Sequence, residues 1–215
     1  TALGGLTNGV TQIEVAAAYG TIANQGQYLK PYFYDKVLDH DGNTLLENTK
    51  ESKQVLKSST GYILTEMMTD TIKSGTGTKA SLGQMPVAGK TGTTTDSKDL
   101  TFVGYTPYYV ASIWLGYDRY DSTVKNMSNV NQSQHLVIWR DIMTKIHQNL
   151  AIKDFEMPST VEKATVCKIS GKRARSGCPS VTDYFDKESL GDGYCTSHRG
   201  YSGTVFSSSS SSSSS

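Results

Sequence analysis

Four consecutive residues, Lys90-Thr91-Gly92-Thr93, have the types and order expected of a polar strand beside a substrate cleft. A lysine fixed on such a strand supplies positive charge that can hold a substrate carboxylate and assist proton transfer to a nucleophile. Gly92 leaves room for a substrate backbone, and an exposed strand edge can pair with an extended peptide. Thr91 and Thr93 add hydroxyl groups, and the Thr93 N–H can donate into an oxyanion hole. Lys90 is therefore a candidate catalytic residue, and Thr91, Gly92 and Thr93 are candidate substrate contacts; the alternative is an ordinary strand with a solvated lysine.

The segments around this motif predict a sheet. Strands are expected at residues 86–95, 100–106 and 109–117, and the last two are rich in aromatic and β-branched residues. The short links between the three favour antiparallel pairing. Further upstream, apolar residues on both sides of Asp41-Gly42 predict a hairpin.

Three helices are predicted to cover this sheet. Thr11 and Glu14 fit a capping box at the start of the first helix, and Gly26 supplies its stop. The second helix is expected at 58–74 and the third at 133–150. One face of the second carries Leu64, Met67, Met68 and Thr71. The face of the third that is expected to cover the sheet carries Trp139, Ile142, Met143, Ile146 and Leu150.

Composition divides the 215 residues into three parts. Residues 1–152 read as a compact mixed α/β region, 153–206 as a polar extension that holds all three cysteines, and 207–215 as a run of serines that builds no core. The 21 basic and 20 acidic residues nearly cancel, so nucleic acid is not expected as a partner. The chain starts at Thr1 and has no long apolar run, so we expect any membrane anchor to lie upstream.

The cysteines allow three interpretations. A disulfide plus one leftover thiol suits an exported protein, and Cys167 with Cys178 closes the shorter loop. Free thiols are a second possibility. Cys195 and His198, spaced Cys-x-x-His, form a Cys₃His zinc site with Cys167 and Cys178 in the third. We expect the disulfide between Cys167 and Cys178, no bound metal and no cofactor.

Longer strings around the lysine motif resemble a known family. They are Pro-Val-Ala-Gly-Lys-Thr-Gly-Thr-Thr at 86–94, Phe-Val-Gly-Tyr-Thr-Pro at 102–107 and Ile-Trp-Leu-Gly-Tyr-Asp at 113–118. Residues 2–11, 16–26 and Ile138-Trp139-Arg140 match the same pattern. In this order, over roughly residues 1–150, they resemble the C-terminal part of the transpeptidase domain of class A penicillin-binding proteins.

The resemblance implies a fold and an activity. The fold is α/β, a mainly antiparallel sheet flanked by helices, of the penicillin-binding and serine β-lactamase kind and truncated at its N-terminal side. The family's members join a membrane-anchored glycosyltransferase to a transpeptidase on the outer side of the bacterial membrane. A serine takes the acyl group from a D-Ala-D-Ala stem peptide, or from a β-lactam, and Lys90, Thr91 and Thr93 match the family's motif. Peptidoglycan stem peptides and β-lactams are therefore the expected partners.

The family's nucleophile motif, Ser-x-x-Lys, and its Ser-x-Asn motif are not found before Lys90. The literal match at 122–125, Ser-Thr-Val-Lys, follows Lys90 in a polar stretch and reads as a solvated loop. We therefore expect the nucleophile to lie outside this chain and the isolated chain to be inactive. The alternatives are a related carboxypeptidase or β-lactamase, and a binding module without a nucleophile.

Overall fold

The computed structural model describes residues 9–94, 97–117, 127 and 130–198. The chain divides into two compact units, Thr1–Val161 and Glu162–Ser215. The first unit therefore extends past the change in composition near residue 153. Within the described residues, no helix combines the length and apolar character needed to cross a bilayer.

The first helix, α1 (Gln12–Ala23), begins as predicted. The Thr11 hydroxyl accepts a hydrogen bond from the Glu14 N–H at 3.3 Å, and the Glu14 carboxylate accepts one from the Thr11 N–H at 2.8 Å. The bond from the Thr11 backbone lowers the pKa of Glu14 below its ordinary value. The capping box is confirmed, and Gly26, at φ +86°, follows the end of the helix.

Four short strands follow and pair two by two. They are β1 (Gln27–Leu29), β2 (Lys36–Leu38), β3 (Thr44–Glu47) and β4 (Ser52–Gln54). β1 pairs antiparallel with β4, and β2 with β3. The second pair is the hairpin predicted around Asp41-Gly42, with Gly42 at φ +87° and the Asp39 carboxylate accepting the N–H groups of Asp41 and Asn43. This hairpin prediction is confirmed.

The second helix, α2 (Ser58–Lys73), has the predicted extent. On the apolar face predicted for it, Met68 is buried, whereas Met67 is 65% exposed. The buried positions include Thr65, which donates its hydroxyl to the Gly61 carbonyl and lies 2.8 Å from the Tyr105 hydroxyl. Buried polar side chains that find partners are tolerated in a core, and hydropathy alone does not reveal such partners.

The three predicted strands form one antiparallel sheet in the order β5, β6, β7. Their bounds are Ala88–Thr93, Asp99–Tyr105 and Val110–Gly116. The register pairs Lys90 with Val103 and Thr91 with Phe102. The number, order and pairing of these strands are confirmed.

The third helix is α3 (Gln134–Ile146). Its side chains Trp139 and Met143 are fully buried in the same core cluster as Phe102 of β6. Trp139 meets the Phe102 ring edge-on at 5.2 Å between centroids. Ile142 and Ile146, predicted on this face, are both 48% exposed. The buried stripe instead runs from His135 to Met143, because these positions recur at helical spacing toward the sheet.

Helices cover both faces of the sheet. On one face Tyr105 and Ala88 pack against Met68 of α2, with Tyr19 and Ile22 of α1 beside them. On the other face lies the cluster built around Trp139. Neighbouring residues of a strand point to opposite faces, so alternate positions of β6 reach the two clusters. The predicted class, an α/β fold with a mainly antiparallel sheet flanked by helices, is confirmed.

The second unit is small. It holds most of β8 (Val161–Cys167), its partner β9 (Ser180–Asp186) and the short helix α4 (Lys187–Leu190). Arg173 forms an ion pair with Glu162 through two hydrogen bonds, which lower the pKa of Glu162 below its ordinary value. The side chains buried in this unit include Ala164, Val166, Cys167 and Cys195.

Candidate functional site

Lys90 lies in the middle of β5 with its side chain exposed. Its Nζ donates a hydrogen bond to the Thr91 carbonyl oxygen at 3.0 Å. No ion pair within the described residues involves this ammonium group. Lys90 lies on the same face of the sheet as Ala88, the face that α1 and α2 cover. The positive charge is therefore free to meet an anionic ligand.

β5 is an edge strand in the described part of the chain. It pairs with β6 on one side, and no described strand pairs with its other side. Backbone N–H and C=O groups along such an edge can bind an extended peptide as an added strand. The predicted substrate edge is therefore geometrically available beside Lys90.

Two glycines of β5 have different surroundings. A Cβ added at Gly89 would lie 2.7 Å from Phe102 Cζ, 2.7 Å from the Val103 carbonyl oxygen and 3.0 Å from Gly104 Cα. A Cβ at Gly92 would meet only Thr101 Cβ, at 3.6 Å, an ordinary contact. Packing within the sheet therefore requires Gly89, whereas nothing in the described fold requires Gly92.

The Thr91 hydroxyl has a partner that the sequence did not reveal. Its Oγ1 lies 2.7 Å from Thr76 Oγ1, in the turn that follows α2. Gly75 and Gly77 allow this turn, since a Cβ at either would lie 2.8 Å from an atom of α2. The only signal in the sequence was the pair of glycines around Thr76. The hydroxyl of Thr91 therefore ties β5 to the end of α2.

The end of β5 is held by a second group of side chains. The Thr94 hydroxyl donates to Asp99 Oδ2 at 3.0 Å and accepts the Asp99 N–H at 2.9 Å. Trp114 of β7 donates its indole N–H to Asp99 Oδ1 at 2.9 Å. These contacts fix the chain directly after Thr93, whose side chain is exposed. Sequence reasoning did not single out Asp99.

The Ser-x-x-Lys string at 122–125 lies outside the described residues. Lys90, Thr91, Gly92 and Thr93 lie together on β5, where Lys90, Gly92 and Thr93 are exposed and Thr91 is half-buried.

The three cysteines lie in the second unit and are all free. The expected disulfide between Cys167 and Cys178 is not formed, because both sulfurs join a cluster around His198 instead. His198 Nδ1 lies 3.5 Å from Cys167 Sγ, 3.7 Å from Cys178 Sγ and 3.2 Å from Cys195 Sγ. Hydrogen bonds from the Ser170 and His198 side chains lower the pKa of Cys195 to about 5. These four residues have the ligand types that could hold a metal ion.

Two family models match the chain. Residues 1–144 match the penicillin-binding protein transpeptidase domain. Residues 157–200 match the penicillin-binding protein 1A C-terminal domain. The first match covers α1, α2, the three-stranded sheet and most of α3, and the second covers the cysteine cluster.

Proteins of similar sequence also carry the name penicillin-binding protein 1A. Penicillin-binding protein 1A of Clostridium tetani is 37% identical over 90% of this chain, and that of Clostridium botulinum is 42% identical over 79%. The matched regions make up 25% and 20% of those relatives, so the chain spans a quarter of their length or less.

Solved structures share the fold. Penicillin-binding protein 1A from Haemophilus influenzae superposes with a TM-score of 0.67 at 15% identity, covering 81% of this chain and 32% of that one. The penicillin-binding protein PonA1 from Mycobacterium tuberculosis gives 0.59 at 27% identity, covering 69% and 41%. With the lysine-bearing edge strand and the match over residues 1–144, these likenesses show that the chain belongs to the penicillin-binding protein transpeptidase domain family.

Proposed function

We propose that this chain supplies the substrate-binding wall of a transpeptidase that cross-links peptidoglycan through a serine acyl-enzyme. The observation that carries the proposal is the placement of Lys90, whose exposed side chain lies on β5, a strand whose outer side pairs with no described strand. Family membership supports the reaction class, because Lys-Thr-Gly is one of three elements shared by serine acyltransferases of this group.

Each residue of the motif has a role in this proposal. The stem peptide adds to the outer edge of β5 as an extended strand, and Gly92 lets its backbone approach. Lys90 binds the terminal carboxylate and assists proton transfer at the serine. The Thr93 N–H donates to the oxyanion that forms when the serine attacks the D-Ala-D-Ala carbonyl. The Thr91 hydroxyl contacts substrate or holds the strand through Thr76.

The remaining parts of the machinery are also proposed. The serine and its lysine come from a part of the protein that precedes Thr1, so the isolated 215-residue chain is inactive. The same protein carries a glycosyltransferase and a membrane anchor, and it works on the outer side of the bacterial membrane. β-Lactams acylate the same serine. The presence of relatives four or more times longer than the matched region supports this arrangement.

The test is acylation of the whole protein by a fluorescent penicillin, with and without Lys90→Ala. Removing a single charge-stabilising donor from an acyl-transfer site typically costs about 10²–10³-fold in rate. We expect a loss of that size for Lys90→Ala. Lys53→Ala is the matched control, because Lys53 is an exposed lysine on β4 and should leave the rate unchanged. Release of D-Ala and formation of cross-linked dimers, measured on stem-peptide substrates, should fall in parallel.

Four results would contradict parts of this proposal. Covalent labelling of the isolated chain would place a nucleophile inside it. Rapid release of hydrolysed penicillin would indicate a β-lactamase, and D-Ala release without cross-linking would indicate a carboxypeptidase. A whole protein that no penicillin labels would instead be a binding module.

A further inference from the structure

The cluster around His198 lies in the second unit, and the proposed reaction assigns no role to its members. It consists of Cys167, Cys178, Cys195 and His198, whose ligand atoms all lie within 4.8 Å of one another. We propose that these four residues bind one Zn²⁺ ion in a closed, tetrahedral structural site.

The distances fit such a site. Zinc–sulfur bonds of about 2.3 Å and zinc–nitrogen bonds of about 2.0–2.1 Å place the ligands of a tetrahedral site about 3.5–3.8 Å apart. The three sulfurs lie 3.5, 3.7 and 3.2 Å from His198 Nδ1. These sulfur–nitrogen distances lie within a few tenths of an ångström of the tetrahedral range, and all four ligand atoms lie within 4.8 Å of one another.

Backbone geometry brings the ligands together from three separate segments. Cys167 ends β8, and its N–H donates to the Lys172 carbonyl at 2.8 Å. Cys195 N–H donates to the Arg173 carbonyl at 2.8 Å, which fixes the Cys-x-x-His segment against the same turn. The positive φ of Gly177, +86°, lets the chain turn just before Cys178.

Backbone amides also point at the sulfurs. The N–H of Arg175 lies 3.5 Å from Cys178 Sγ. The backbone groups of Ser170 and Ile169 lower the pKa of Cys167, and that of Ser197 lowers the pKa of Cys195. Hydrogen bonds of this kind orient the ligands of a metal site and offset the negative charge of its thiolates.

The chemical types of the four ligands indicate which metal ion binds, and their number and burial indicate what role the site has. Thiolate and imidazole ligands favour zinc over magnesium or calcium, which prefer oxygen ligands. Four protein ligands leave no open position for substrate, so the site is structural rather than catalytic. Cys167 and Cys195 are 0% and 1% exposed, while Cys178 and His198 are half-buried.

A small unit gains most from such an ion. The described part of the second unit buries few large apolar side chains, and compact domains of this size usually need a disulfide or a metal for stability. Metal binding contributes directly to folding free energy, because the unfolded chain has no assembled site. Zinc would therefore hold together the segments that carry Cys167, Cys178 and Cys195.

A disulfide is the alternative to a zinc site, and it would use two of the same cysteine sulfurs. A disulfide between Cys167 and Cys178 needs a sulfur–sulfur distance of about 2.05 Å and leaves Cys195 and His198 without a shared partner. The zinc-bound and the disulfide-bonded states differ in the number of reduced thiols. The zinc site keeps three reduced thiols in each chain, and the disulfide keeps one.

The experiment is metal analysis of the 215-residue chain, purified without chelator under anaerobic conditions. We expect one zinc per chain by native mass spectrometry and three thiols after denaturation in chelator. X-ray absorption should give three sulfur neighbours at about 2.3 Å and one nitrogen at about 2.0 Å. Replacement by Co²⁺ should give the visible absorption of a tetrahedral thiolate complex. His198→Ala should lower the zinc affinity at least tenfold, whereas His40→Ala, at an exposed histidine outside the cluster, should leave it unchanged.

The wild-type measurement decides the question even if a variant fails to fold. A chain that retains no zinc after dialysis against micromolar Zn²⁺ would overturn the proposal. So would a Cys167–Cys178 disulfide found by peptide mapping, or equal zinc affinity in the His198 and His40 variants. None of these outcomes bears on Lys90, so the zinc site and the transpeptidase proposal fail or hold independently.

Discussion

Gly89 and Gly92 lie three positions apart on β5. Replacing each with alanine should distinguish a glycine required for stability from one required for substrate binding. Neither residue has a positive φ, so alanine can adopt both backbone conformations. The two substitutions remove the same hydrogen atom and add the same methyl group. Any difference between them must come from what the methyl group meets.

The structure sets the expected magnitudes. At Gly89 the methyl group would lie 2.7 Å from the Val103 carbonyl oxygen and 3.0 Å from Gly104 Cα, which are backbone atoms of the neighbouring strand. Overpacking of this kind costs about 1–3 kcal/mol of unfolding free energy, or about 2–12 °C in Tm. At Gly92 the nearest contact is 3.6 Å, so stability should stay the same or rise by up to about 1 kcal/mol.

The effect on function should run the other way. Gly92 lies on the same face of β5 as Lys90, two residues along the strand, and in the proposed binding mode its new methyl group would stand where the substrate backbone approaches. We expect penicillin acylation of the whole protein to slow about 10–100-fold, which corresponds to about 1.4–2.7 kcal/mol of transition-state stabilisation. Thermal unfolding of the 215-residue chain measures the first effect, and fluorescent penicillin labelling measures the second.

Two outcomes would refute this reasoning. If Gly92→Ala destabilises the chain as much as Gly89→Ala, the space beside Gly92 is not open as described. If Gly92→Ala is acylated at the wild-type rate, the outer side of β5 is not where substrate binds.

Three further predictions concern the first unit. Burial lowers the pKa of His135 below its ordinary value of 6.5. The neutral form therefore stabilises the fold above about pH 6.5, and this stabilisation is lost as the pH falls below that value. His135→Phe should therefore flatten the decline in Tm between about pH 7.5 and 5.5 relative to His40→Ala, and unchanged slopes would contradict this. Trp139→Ala removes a fully buried ring and its hydrogen bond to a β7 carbonyl. Urea unfolding should therefore show that the free energy of unfolding falls by about 3–5 kcal/mol. A fall below about 1 kcal/mol would count against the described core. Thr76→Val and Thr91→Val, combined in a double-mutant cycle, should show a coupling energy of about 0.5–1.5 kcal/mol, and additive effects would mean that the 2.7 Å contact does not stabilise the chain.

Only the tertiary structure revealed several features of the site. The pairing of Thr91 with Thr76 joins residues fifteen positions apart through a turn whose path depends on how α2 packs. The edge position of β5 is a property of the whole sheet, since it depends on which strands pair. The meeting of Cys167, Cys178 and Cys195 at His198 depends on turns that bring distant segments together. The sequence instead favoured a disulfide, because a disulfide suits an exported protein and this pair, Cys167 with Cys178, closes the shorter loop.

The sequence by itself determined the features that depend on neighbouring residues. The capping box at Thr11, the hairpin at Asp41-Gly42 and the three antiparallel strands follow from side-chain type, turn chemistry and short links, and all appear in the structure. It did not determine which side of α2 and α3 is buried, because helical periodicity leaves the choice between adjacent apolar residues open. Met67 and Ile142 are exposed while Thr65 is buried, because a specific partner across the core satisfies the threonine hydroxyl. Such long-range contacts exist only once the chain is folded, and for that physical reason only the tertiary structure could decide them.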